Sequence, residues 1–152
     1  MAAKIKRTNQ KPKISMGETG VTSCYSDQNL AFSLRYLTSN NNYNEKSFGK
    51  NAEKAKNLSL LFARLQELSE HSWLEWNQMS KKDGVETIQY SEIRFKAKQG
   101  ANIAADKKMT IFRVDTHNGT KKGRIIGYKD QPCATFYIIG FDYDFSAYNH
   151  GS

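Results

Sequence analysis

Apolar side chains recur along this chain in two rhythms, and the change of rhythm divides it into elements. Leu58, Leu61, Phe62, Leu65 and Leu68 fall at helical spacing and form one stripe, with Asn51 standing where an N-cap would. This predicts a helix that Asn51 caps and that runs through Leu68. Trp73, Leu74 and Trp76 extend the apolar surface, as a bent continuation or a short second helix, and read as core aromatics. Elsewhere the period is two. From Leu30 to Leu37, Phe32, Leu34 and Tyr36 alternate with Ala31, Ser33 and Arg35, a first strand that Asn40-Asn41-Asn42 would end. Lys81-Lys82-Asp83-Gly84 is a turn signal, and Ile88 to Lys98 reads as the next strand. Its alternation sets Ile93, Phe95 and Ala97 on one face and Arg94, Lys96 and Lys98 on the other. Gln99 to Ala105 is a loop, Met109 to Thr116 a strand carrying Arg113, and His117-Asn118-Gly119 a turn. Arg124 to Lys129 and Ala134 to Phe141 then form a hairpin around Asp130-Gln131-Pro132-Cys133. Its second arm, TFYIIGF, is apolar on both faces, as in a strand inside a sheet that something else covers.

The resulting order is strand, one or two helices, then four strands. It predicts an α+β domain, an antiparallel sheet of four or five strands packed on a helical layer. With 152 residues and 38% hydrophobic content, one domain is the expectation, spanning 28–152. The first 27 residues carry five basic and no acidic side chains as far as Lys13 and few large aliphatic ones. They read as a basic arm, either a solvated tail or a segment that docks on phosphates or a partner.

The net charge of +8 favours polyanionic partners: nucleic acid first, acidic protein second, anionic membrane third. From Arg94 to Lys129 ten Lys and Arg residues face only two acids, Asp106 and Asp115, so the excess is concentrated where the strands are expected. No apolar run approaches the roughly 20 residues that span a bilayer, and MAAKIKRTNQKPK lacks the apolar core of a signal peptide. A cytoplasmic protein without a membrane partner is expected. Cys24 and Cys133 lie far apart with no CxxC or Cys/His spacing and read as free thiols. Asp142 and Asp144 read as two exposed acids at a strand end. No nucleotide-binding loop, hydrolase elbow or HExxH is present, so neither a metal nor another cofactor is expected.

Two constellations carry candidate chemistry. Arg94, Lys96, Lys98, Arg113, Lys121, Lys122 and Arg124 come from strands or turns expected to be neighbours. They are either the solvent face of a half-exposed sheet or a set that brackets phosphates, since adjacent strands lie about 4.8 Å apart. The second set is acid–base capable: His71, His117 and His150 with Tyr128, Tyr143 and Tyr148. Cleaving RNA without a metal needs a base for the 2′-hydroxyl, a cation for the charge on phosphorus and an acid for the leaving oxygen. His150, Tyr148 and Arg124 supply those parts, and Tyr128 joins the nucleic-acid-binding set. His71 reads as structural or solvent-facing, and His117, in an Asn-Gly turn, ranks behind His150.

This element order, with GRIIGY carrying Arg124 and the tail AYNH carrying Tyr148 and His150, resembles the RelE/ParE superfamily of toxin–antitoxin toxins. The resemblance spans about Leu30 to His150. It implies a twisted antiparallel sheet against a helical layer and a metal-independent endoribonuclease acting on messenger RNA at the ribosome. Arg124 would hold the phosphate, with Tyr148 and His150 at the C-terminal catalytic positions and Arg94, Lys96 and Arg113 as looser matches. It also implies an acidic antitoxin-like partner. The alternative from the residues alone is a non-catalytic module, of phage or mobile-element origin, that binds nucleic acid or protein through the same basic face.

Overall fold

The computed structural model describes residues 28–79, 85–119, 122–130 and 134–149. The basic arm, both cysteines, Lys121 and His150 lie outside them, as do the Lys81–Gly84 turn and the tip of the last hairpin. Five strands make one sheet: β1 (Ala31–Ser33), β2 (Val85–Gln89), β3 (Lys108–Asp115), β4 (Lys122–Lys129) and β5 (Thr135–Asp142). Their spatial order is β1-β5-β4-β3-β2. The last four form an antiparallel meander, and β1 joins β5 in parallel, Ala31 opposite Thr135. Helices α1 (Asn51–Ser69) and α2 (Trp73–Gln78) lie between β1 and β2 in sequence. The expected α+β domain is therefore present.

The amphipathic stripe of α1 buries Leu61 and Leu68 against the sheet, with Leu58 and Leu65 partly buried beside them. Phe62 is 69% exposed, because it lies one residue around the helix from Leu61. The N-cap is Lys50 rather than Asn51, and Asn51 begins the helix at φ 52°. Trp73 and Trp76 belong to a separate short helix, since Ser72 caps it with a reciprocal Ser72–Glu75 box. Trp76 is buried and donates its indole N–H to Leu68 O at 2.9 Å, so it closes the first core. Phe112, Val114, Ile125, Phe136, Ile138 and Phe141 meet it from the sheet.

The opposite face of the sheet is covered without a helix. Met109, Ile111, Ile126 and Ile139 pack there against Tyr43, Ile93, Phe95, Ala147 and Tyr148, a second core roofed by irregular segments. The expected strand from Ile88 to Lys98 accounts for this roof only in part. Regular pairing ends at Gln89, where Tyr90–Glu92 turns as a 3₁₀ helix and Glu92 bonds back to the Gln89 N–H. Residues 93–98 then cross over the sheet without strand pairing, bending at Arg94 and Phe95. Their hydrogen bonds go to Tyr36, Ala147, the Tyr90 hydroxyl and Thr38 rather than to a neighbouring strand. The two-residue alternation survives, with Ile93 and Phe95 buried and Arg94, Lys96 and Lys98 exposed. The first strand is likewise shorter than its pattern: a turn follows Ser33, and Leu34 is exposed.

Where β4 and β5 meet, the register slips between Ile126 and Gly127, so Ile126 faces Gly140 and Gly127 faces Ile138. The β-bulge leaves Ile139 and Gly140 together opposite one residue. Gly140 lies under the Phe95 ring, which stacks on Tyr43 with centroids 4.5 Å apart. A Cβ at Gly140 would stand 2.3 Å from a Phe95 ring carbon. Gly140→Ala is accordingly expected to lower stability by about 1–3 kcal/mol. Urea unfolding checks this, and Phe95→Leu in the same chain should recover part of the loss.

Candidate functional site

The sheet carries a charged row across its roofed face. Arg113 on β3 stands opposite Arg124 on β4, and Arg124 opposite Asp142 on β5, so all three point the same way. Their surroundings differ sharply. Arg113 is exposed, whereas the Arg124 side chain is 8% and Asp142 0% exposed. Phe145 lies over the Arg124 guanidinium at 4.1 Å and Tyr148 at 5.4 Å. The guanidinium is thus sandwiched between a buried carboxylate, 3.8 Å from its Nη1, and two aromatic faces. Its Nε and Nη1 make no hydrogen bond among the described residues.

Asp142 corrects the expectation of two exposed strand-end acids. Its carboxyl accepts the Ser146 and Ala147 backbone N–H groups at 3.1 and 3.3 Å, which curls the chain after β5 back over the sheet. Asp144 remains exposed and accepts from the Ser146 N–H and hydroxyl. Burial first, and then sharing of a proton with Asp144, raises Asp142 above the usual carboxylate range. For Asp144 partial burial opposes ionisation, yet the hydrogen bonds from Ser146 and Asp142 outweigh it and lower the carboxyl. The curl positions Phe145, at φ 64°, above Arg124.

Arg124 and Tyr148 therefore do meet, but as buried groups, while His150 lies outside the described residues. Tyr148 is buried and donates its hydroxyl to Glu86 Oε2 at 3.1 Å, and burial raises its phenol above the ordinary range. With β2 holding Tyr148 and β5 holding Arg124, the two are locked at the sheet end rather than presented to solvent. Tyr128 is 4% exposed and stacks on Tyr137 with centroids 5.4 Å apart, so it offers no free ring to a base. Burial, its largest cause, pushes its phenol up to about 12.

The exposed cations lie on the roof. Arg94, Lys96 and Lys98 sit on segment 93–98 rather than on the sheet itself, each separated from the next by a residue turned inward. Arg94 donates to Ser146 O at 3.3 Å and to Asn149 Oδ1, and the Lys96 ammonium lies over the Tyr90 ring at 5.3 Å. No acid occurs from 93 to 105. The rest of the expected set is dispersed: Arg113 is exposed on β3, and Lys122 belongs to the first position of β4. Lys129 is buried beside Trp73, and Lys107 pairs with Asp130 at 2.9 Å.

His71 is half exposed, 3.9 Å from Glu75 and edge-on to Trp76, in keeping with a structural or surface role. His117 is tied more elaborately. Its backbone N–H donates to Asn57 Oδ1 at 2.7 Å, and its Nδ1 lies 3.4 Å from both Asn57 Nδ2 and Glu53 Oε1. Asn57 is buried and also donates to Phe48 O at 2.9 Å, so every polar atom of its side chain is engaged. The sequence reading passed over Glu53 and Asn57. A signal was available, since 57, 61 and 68 all lie on the buried stripe and the first is an amide.

Among the described residues no three His, Cys, Asp or Glu side chains gather as metal ligands would, and no helix is long and apolar enough to cross a membrane. No protein-family model, no curated protein and no solved structure matches the chain. The resemblance to RelE/ParE toxins thus rests on element order and the residues quoted for it.

The buried pair makes an asymmetric prediction. Asp142→Ala leaves the Arg124 charge enclosed without its partner and is expected to cost about 3–5 kcal/mol. Arg124→Met should cost less at low pH, where the Asp142 carboxyl, raised by burial, takes up a proton and no buried charge is left unpaired. A buried carboxyl with a raised pKa supports the fold at low pH and loses that support as pH rises through its folded value. Urea midpoints should therefore show the Arg124→Met deficit shrinking as pH falls into the carboxylate range.

Proposed function

We propose that this protein binds nucleic acid, with single-stranded RNA as the favoured partner, through the cations on its roof. The observation that carries this reading is the run Arg94, Lys96, Lys98. Three exposed cations alternate with Ile93 and Phe95, which are anchored in the second core. The segment bends at Arg94 and Phe95, so its three cations present a curved basic surface rather than a straight strand. The anchors hold the row in place, so little side-chain and backbone freedom is lost when phosphates line up along it. Arg35 and Arg113 are exposed as well and widen the basic surface.

A metal-independent endoribonuclease acting at Arg124, Tyr148 and His150 is the second reading. It is favoured by the proximity of Arg124 and Tyr148 at the end of the sheet. It requires a phosphate to reach a guanidinium that Phe145 covers and Asp142 already neutralises, which is why binding ranks ahead of cleavage. An acidic antitoxin-like protein is the partner that this second reading would require.

Fluorescence anisotropy with a labelled single-stranded RNA, titrated across salt concentrations, tests both. Each phosphate contact on a single strand contributes about 0.7 to the slope of log affinity against log salt. Replacing Arg94, Lys96 and Lys98 together by Ala is expected to flatten that slope by about 2 while the melting temperature stays near wild type. An unchanged slope would remove the roof from the interface. RNA cleavage by the wild type that Arg124→Ala abolishes, with binding retained, would move the conclusion to the second reading.

A further inference from the structure

We infer that a cavity beside the basic roof receives a nucleobase carrying an exocyclic amine, extracted from the strand whose backbone the roof holds. This inference rests on the RNA-binding reading and adds a base-recognition site to it. The cavity, of about 290 Å³, lies between the first turns of α1, segment 41–47, the turn after β3 and the curl after β5. That volume is close to the lower end, about 300 Å³, of small-molecule sites. Lys46, Glu53, Asn57, His117, Tyr143 and Asp144 are the wall residues that decide its chemistry.

Two carboxylates, Glu53 and Asp144, stand in the wall, and Asp144 is the member of its pair that is lowered and hence ionised. A phosphate would be repelled by them, which makes the cavity chemically unlike the roof. A hydrogen-bond donor is what they accept. The amines of cytosine, adenine and guanine supply one at the edge of the ring, as in carboxylate readout of the cytosine amine, whereas uracil flanks its single ring N–H with two carbonyl oxygens that would face the carboxylates. The walls are also prepared for a polar guest. Asn57 spends a buried amide on fixing both the backbone and the ring of His117, whose Nδ1 lies 3.4 Å from Glu53 Oε1.

Continuity with the roof makes the guest a base of the bound strand. Arg94 donates to Ser146 O, and Ser146 donates to Asp144 in the cavity wall. On the other side, the Thr38 hydroxyl donates to Lys96 O and accepts from the Asn40 N–H, and the wall residues Asn41 and Asn42 follow directly. Two segments of the cavity wall are thus tied by hydrogen bonds, through Ser146 and Thr38, to Arg94 and Lys96 of the cationic run.

The test compares oligocytidylate with oligouridylate of equal length, and hence equal charge, by anisotropy on the full chain. The wild type is expected to prefer oligocytidylate by about tenfold. Glu53→Ala should bring the ratio near one without weakening oligouridylate, since Glu53 is exposed and distant in sequence from the cationic run. A tenfold preference that survives in Glu53→Ala would overturn the cavity assignment. Equal wild-type affinities, with salt-dependent binding intact, would overturn the cavity and leave the roof as the interface. Absence of binding to either oligomer would overturn both readings. A thermal melt of Glu53→Ala coincident with wild type establishes that the comparison is made on folded protein.

Discussion

A strand that is apolar on both faces has to be covered twice, and β5 is that strand. Phe136, Ile138 and Phe141 feed the core under α1 and α2, while Ile139 faces the second core on the other side. Burial of this kind is the main favourable term in folding a small domain, so the chain has to find a second cover once its helices are used. It does so with backbone that is neither helix nor strand. The segment 93–98, the stretch after β1 and the curl after β5 bond to one another and to the sheet, and together they complete the layer. The exposed cations of the roof owe their fixed positions to this need for cover.

The same arrangement explains why Arg124 is enclosed and Arg113 exposed. Cross-strand pairing sets Arg113 and Arg124 on the same face, but Phe145 and Tyr148 of the C-terminal curl cover Arg124, whereas Arg113 stays exposed. Enclosing a charge there is tolerable because Asp142 neutralises it and two aromatic rings replace part of its hydration. The carboxylate in turn holds the curl through two backbone N–H groups. Charge pair and curl are mutually dependent, which gives Arg124 and Asp142 a structural task whatever else they do.

The parts of the fold written in local pattern were legible in the sequence. The stripe of α1, the strand at Met109 to Thr116 and the two-faced TFYIIGF each depend on residues within one element, and each appears within a residue or so of its expected place. What failed were inferences about what a pattern packs against. Residues 93–98 alternate like a strand because one side is buried, and alternation alone does not say whether the neighbours are strands or a roof. Asp142 looked exposed because the acceptor role that buries it is filled by backbone four and five residues later. Tyr128 was indistinguishable from a stacking residue until β5 set Tyr137 beside it. Asn57 and His117, sixty positions apart, are joined only by the packing of α1 beside the turn after β3.

The parallel contact between β1 and β5 bears on how the chain reaches this state. Ala31 pairs with Thr135, joining the two ends of the described chain, while both cores require β5 at their centre. During synthesis the helices and the β2–β3 pair leave the ribosome before the strand that unites them. Until then their apolar faces have only each other to meet. Closing so long a loop late is slow relative to local pairing. The nascent protein thus passes through a stage, set by topology alone, in which a chaperone has most to hold.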